Sequence, residues 1–217
     1  MCFSPEVDFL TSVGVGVIAI ATLRRVKENQ DSCGHLLPIA VIPAIFALHL
    51  ISSGLVWLGF QGHVPGSVHV FAFNFYVVVA FVLWPIYVPF ALLCLRLSAS
   101  RQVMMIVILL LGGIVAVRYG LAIINGHASV TMESRYLDFH ISNVPGFIGY
   151  AYFICTCGAV LLSERASLVM WGAVNLIVVA TLVGTHNHGL PSLWCFWAAV
   201  TSVGIFGFIH QESKTVI

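Results

Sequence analysis

The stretch Val103–Ile124 reads VMMIVILLLGGIVAVRYGLAII, with Arg118 its one charged residue. As a helix rising about 1.5 Å per residue it covers about 33 Å, enough to cross a hydrocarbon core about 30 Å thick. Apolar side chains fall on every face, so no side is left for water. Six other stretches share this character: Val7–Leu23, Leu37–Gly59, Val70–Leu95, Val144–Leu162, Leu168–Gly184 and Leu193–Ile209. The first and sixth are short, but only helix satisfies their backbone groups in lipid. None alternates as a barrel strand must. The fold class expected is all-α: one polytopic membrane bundle of seven transmembrane helices over residues 1–217.

Composition agrees. Of the 217 residues, 60% are hydrophobic and 8% charged, and mean hydropathy is +1.04. A soluble domain carries about 25% charged residues. Disorder, a coiled coil, a collagen-like fibre and an ordinary cytosolic enzyme are excluded. Nine Lys/Arg against eight Asp/Glu give a net charge of +1, with no basic face for nucleic acid. The partner implied is the lipid bilayer, with membrane subunits or a second copy as further partners.

The basic residues orient the chain. Arg24, Arg25 and Lys27 follow the first span, Arg96 and Arg101 the third, Arg165 the fifth and Lys214 the seventh. These odd-numbered exits hold seven of the nine Lys/Arg, and the even-numbered loops hold only Arg135. The positive-inside rule then puts the N-terminus outside and the C-terminus in the cytoplasm of a multi-pass cell-membrane protein. No basic region precedes the first span, so it does not read as a secretory signal. Ser4-Pro5-Glu6 reads as a helix start, with a capping hydroxyl, a proline at the first position and an acid at the positive end.

Nine histidines are many for so uncharged a chain. His63, His69, His127, His140, His186 and His188 fall at the outer surface, His35 and His210 at the cytoplasmic one, and His49 near mid-membrane. Neutral imidazole is a common metal ligand. His186-Asn187-His188 and Asp138-Phe139-His140 each set two ligand-type side chains two residues apart, pointing the same way in extended chain. A site for copper, zinc or iron, or for heme, is therefore expected from His186, His188, His140 and Asp138, with His127 as a further ligand. The alternative is a set of interfacial histidines with no shared role. No HExxH, CxxC or HxxxH is present.

An ionisable side chain at bilayer depth normally faces the bundle interior. His49 has Ser52 and Ser53 on its own helix face, and Asn74 and Asn175 stand on the third and sixth spans. A pocket of His49, Ser53, Asn74 and Asn175 is expected, against the alternative of a neutral histidine bonded to a neighbouring helix. Arg118 suits a structural role, either snorkelling or pairing with Glu133 or Asp138. Of the six cysteines, only Cys2 and Cys195 belong to the outer side. They form either a disulfide or a thiolate pair on one metal. Pro85 and Pro89 should kink the third span, while Gly112-Gly113 and the glycines of the first and last spans permit close helix approach.

Several segments together carry a family likeness. Met1-Cys2-Phe3-Ser4, Thr22-Leu23-Arg24-Arg25, Gly54-Leu55-Val56-Trp57-Leu58-Gly59, Trp84-Pro85-Ile86-Tyr87-Val88-Pro89 and Ser192-Leu193-Trp194-Cys195-Phe196-Trp197 span most of the chain. The chain resembles an uncharacterised bacterial seven-helix membrane-protein family, a domain of unknown function whose members begin with an MCFS-type sequence. The resemblance implies that Cys2 and Cys195 are hallmark positions. It also implies glutamine and glutamate where this chain has His49 and Ser53, and it supplies no activity.

The seventh span lacks the lysine a retinal Schiff base needs, and the HxxxH and HxxxD pairs of membrane zinc hydrolases are absent. Three functions remain. A membrane metalloprotein or metalloenzyme would work at the histidine-rich outer face, its metal activating water or oxygen against a lipid or small apolar substrate. A sensor or transport module would use the polar pocket around His49. A structural subunit would serve a larger membrane complex.

Overall fold

The computed structural model describes residues 4–133, 136–185 and 190–215, with backbone only at 182–185, 190–196, 198–199 and 215. It is mostly helical. Helix α1 spans Pro5–Glu28 and short α2 spans Gln30–Cys33; a 3₁₀ turn, Gly34–Leu36, leads into α3, Leu37–Phe60. Helices α4, Gly66–Val78, and α5, Trp84–Leu93, flank a π-helical turn at Val79–Leu83, and α6 spans Ala99–Ile124. Two strands follow, β1 Ala128–Met132 and β2 Leu137–Ile141. Then come α7, Gly146–Phe153, a second π turn at Ile154–Gly158, α8, Ala159–Leu161, α9, Ala166–Thr185, and α10, Leu190–Thr215.

Each of the seven apolar stretches is helical, the third and fifth interrupted by the π turns. Among the described residues, Pro5–Glu28, Gln30–Phe60, Gly66–Leu93 and Ala99–Ile124 are long and apolar enough to cross a membrane, while Gly146–Leu161 and Ala166–Thr181 are shorter apolar helices. The connection between α6 and α7 holds the two-stranded β1–β2 hairpin. Leu137, Phe139 and Ile141 alternate with Asp138 and His140, the period of a strand with one covered face.

Two compact units divide the chain: Met1–Tyr76 with Val130–Phe139 and His186–Ile217, and Val77–Ser129 with His140–Thr185. In the first, α1, α3 and α10 pack together. The buried side of α1 is Pro5, Asp8, Ser12, Val15, Ala19, Thr22 and Val26, spaced alternately by three and four residues. That is one continuous stripe along a helix. Ser4 caps α1 as expected, its Oγ accepting from the Val7 amide at 3.4 Å with Pro5 next. At the far end the Arg25 guanidinium donates to Ser213 Oγ of α10 at 3.0 Å.

In the second unit both prolines of α5 leave a mark. Pro85 lies just beyond the π turn and Pro89 is inside α5. Without an N–H, Pro89 cannot bond the carbonyl of Pro85 one turn back. That carbonyl instead meets Gly112 of α6, where an added Cβ would stand 1.9 Å from it. Gly113, and Gly14, Gly16 and Gly207 of α1 and α10, have nothing within 4 Å of an added Cβ, which corrects the expectation of close approach at those positions. The freed carbonyl of Ala80 in the first π turn accepts from Tyr152 Oη at 2.7 Å. Tyr119, Tyr152 and Phe81 cluster around it.

Ser98 precedes α6 and makes no side-chain cap to it. The Glu164 carboxylate instead binds Ser98 itself, accepting from the Ser98 amide at 3.2 Å and from the Ser98 hydroxyl. Those bonds, and then Arg101 and Arg165, hold its pKa below the ordinary carboxylate value.

Candidate functional site

Three buried polar residues of the first unit, His49, Ser52 and Ser53, stand on one stretch of α3. His49 is 3% exposed, Ser53 0% and Trp57 5%. Ser52, one residue from Ser53, donates to the His49 carbonyl at 2.7 Å, so it is bound to its own helix. His49 lies flat on Tyr76 of α4, with ring centroids 4.0 Å apart and planes at 24°. Tyr76, fully buried, is covered on from there by Phe139 of β2 at 3.7 Å and 10°. Three rings thus stack from α3 through α4 to the hairpin. The hairpin can present Phe139 because β2 turns Leu137 and Phe139 inward and leaves Asp138 and His140 on the opposite face.

Opposite α3 stands α1. Phe9 places its ring where a Cβ on Gly54 would be, 2.9 Å from its nearest atom. A glycine is required there for the two helices to meet. Beside Phe9, Asp8 is 1% exposed, although its place in the first turn of α1 reads as that of a surface acid. Nearer the Phe60 end, the His69 ring lies against Gly59 and edge-on to Phe60 at 5.0 Å.

The expected pocket residues divide. His49 and Ser53 are buried together on α3. Asn74 is exposed on α4 and so lies off that buried stretch, and Asn175 is half-buried on α9 in the second unit. Trp57, Tyr76, Phe139 and Asp8 are the members the sequence reading omitted. Trp57 was legible at His49 plus eight, one helix face. Tyr76 and Phe139 carry no local signal, since only the tertiary fold joins them to His49.

The expected metal ligands divide too. Asp138 and His140 share a face of β2, as extended chain requires. His127 closes the base of the hairpin: its carbonyl accepts from the Ser142 amide at 2.9 Å, and its ring meets the Asn143 amide nitrogen at 3.1 Å. His186 and His188 lie outside the described residues, as do Cys2 and the Cys195 side chain. Among the described residues no three His, Cys, Asp or Glu side chains stand where they could hold one metal ion. Cys33, Cys94, Cys155 and Cys157 are free thiols. Arg118 is exposed on α6.

Fold and site define a mostly helical protein with, among the described residues, four helices long and apolar enough to cross a membrane and a histidine-centred stack buried in its first unit. The chain belongs to the family of unknown function DUF6629, which it matches over residues 1–217. No curated protein and no solved structure matches it.

Proposed function

We propose that this chain is a seven-span protein of the cell membrane, N-terminus outside, acting as a sensor or transport module through the polar site around His49. One observation carries the reading. His49 is buried on Tyr76, yet its Nδ1 has no hydrogen-bond partner among the described residues. A buried polar atom left unbonded costs about 1–3 kcal/mol, so folding alone gives no reason to keep it. The charge pattern adds the orientation. Reporter fusions to each terminus test it: the amino-terminal fusion should be active outside and the carboxy-terminal one inside. The reverse pattern would end the reading.

A second reading is favoured by the shared face of Asp138 and His140. There the hairpin, with His186 and His188, holds copper, zinc or iron at the outer surface. Elemental analysis of the detergent-purified protein decides it. A stoichiometric metal lost on His140→Ala supports this reading, and a metal-free, folded protein ends it.

A further inference from the structure

The carbonyl ends of α1 and α10 meet, and two cations and a histidine meet with them. The Arg25 guanidinium crosses from α1 to α10, its Nε donating to Ser213 Oγ at 3.0 Å. Ser213 is buried and donates in turn to the His210 carbonyl of its own helix at 2.9 Å. Lys214, four residues past His210, lies on the same face of α10. Partial burial, and then the charges of Lys214 and Arg25, hold the His210 pKa below the ordinary histidine value. The two charges acting on His210 are therefore both positive. Glu212, two residues from His210, points elsewhere around the helix.

Helix dipoles favour a cation at each of these ends, but they do not call for a guanidinium held in one place. Among the described residues Ser213 is the one hydrogen-bond partner of the Arg25 side chain, so both terminal nitrogens are left as an anchored fork. Such a fork fits two oxygens of one phosphate, and a neighbouring ammonium adds a point charge. An apolar strip leads up to this corner. Leu10, Val13, Val17 and Ile20 are exposed on α1, spaced alternately by three and four residues, and exposed Arg24 continues the spacing. From Leu10 to Arg24 the strip runs about 21 Å. An anion that carries an acyl chain matches both strip and fork, whereas free phosphate matches only the fork.

We propose that Arg25, Lys214 and His210 bind the phosphodiester of an anionic phospholipid of the inner leaflet, its acyl chain lying along the exposed face of α1. Ser213 is the positioning residue for Arg25. The inference takes from the proposed function only the membrane orientation, not the site around His49. That orientation puts these helix ends on the cytoplasmic side, where basic residues between helices attract anionic headgroups. A choline lipid carries the same phosphate but brings a cation against Arg25 and Lys214.

Native mass spectrometry of the detergent-purified full chain, titrated with phosphatidylglycerol and with phosphatidylcholine, tests the site. Phosphatidylglycerol should bind at least about tenfold tighter, and Lys214→Gln should weaken it about fivefold. Arg96→Gln makes the same charge change on an exposed residue of the second unit. It should cost less than about twofold, as expected of a screened charge outside the site. The decisive variants keep the net charge: Arg25→Lys loses the fork, and Ser213→Ala loses its anchor. Each should weaken phosphatidylglycerol binding at least about threefold, with thermal unfolding as the check on folding; Arg25→Lys decides alone if Ser213→Ala is destabilised. Unchanged phosphatidylglycerol binding in Arg25→Lys would leave only attraction to net charge and overturn the site. Displacement of the lipid by an equal concentration of inorganic phosphate would overturn it too, in favour of a free anion. The orientation fails separately, in the terminal reporters, because binding in detergent does not depend on it.

Discussion

The imidazole of His49 lies on the Tyr76 ring at 4.0 Å, and Phe139 lies on Tyr76 at 3.7 Å, so one tyrosine is held between a helix and a hairpin. The two ends of this stack differ in kind. Tyr76 fills volume, and Tyr76→Ala should cost about 3–5 kcal/mol through the cavity it leaves. His49→Phe keeps a ring on Tyr76 and removes an unbonded nitrogen. It should be neutral or stabilising by up to about 2 kcal/mol. Thermal unfolding in detergent compares the two. A loss of several kcal/mol in His49→Phe would make His49 a structural residue.

Gly112 meets the carbonyl of Pro85, which Pro89 leaves without its helical donor. Gly112→Ala would bring Cβ within 1.9 Å of that oxygen, and a backbone atom cannot move aside cheaply. The substitution should lower stability by about 2 kcal/mol or more, in the range of overpacked cores. Gly113→Ala, with open space around it, is the control and should be neutral or slightly stabilising in unfolding scans.

The helices were legible because their signal is local: seven apolar runs, a Ser4-Pro5 cap, and prolines that disturb the turn before them. The hairpin was not foreseen: the alternation of Leu137 to Ile141 is only five residues long and sits in a charged and aromatic loop that hides the period. His49 and Ser53 were found because a polar group at bilayer depth stands out in sequence. Asn74 stands out equally and is exposed, since a polar residue type does not say which face of its helix is covered. Tyr76 joins His49 to Phe139 over long separations that no local pattern encodes.

The cysteines allow a direct count. Cys33, Cys94, Cys155 and Cys157 are free, and the chain has six cysteines. If Cys2 and Cys195 form the outer-side disulfide, denatured protein should give four thiols before reduction and all six after it. Six thiols without reductant would leave only the metal-bound or free alternatives for that pair.

Glu164 gives the fold a defined acid response. Its carboxylate accepts from Ser98 at the start of α6, where the unbonded amides and the helix dipole favour an anion, and its pKa lies below the usual 4.5. A carboxyl depressed on folding contributes stability that is complete above its unfolded pKa and lost as pH falls through the folded value. Glu164→Gln should therefore lower the melting temperature near neutral pH, and the difference should close as pH falls through the depressed folded pKa, below which both carry an uncharged side chain. Because Glu164 is exposed, the difference should shrink in high salt. A pH-independent difference between the two proteins would show that the hydrogen bonds to Ser98, and not the carboxylate charge, hold the start of α6.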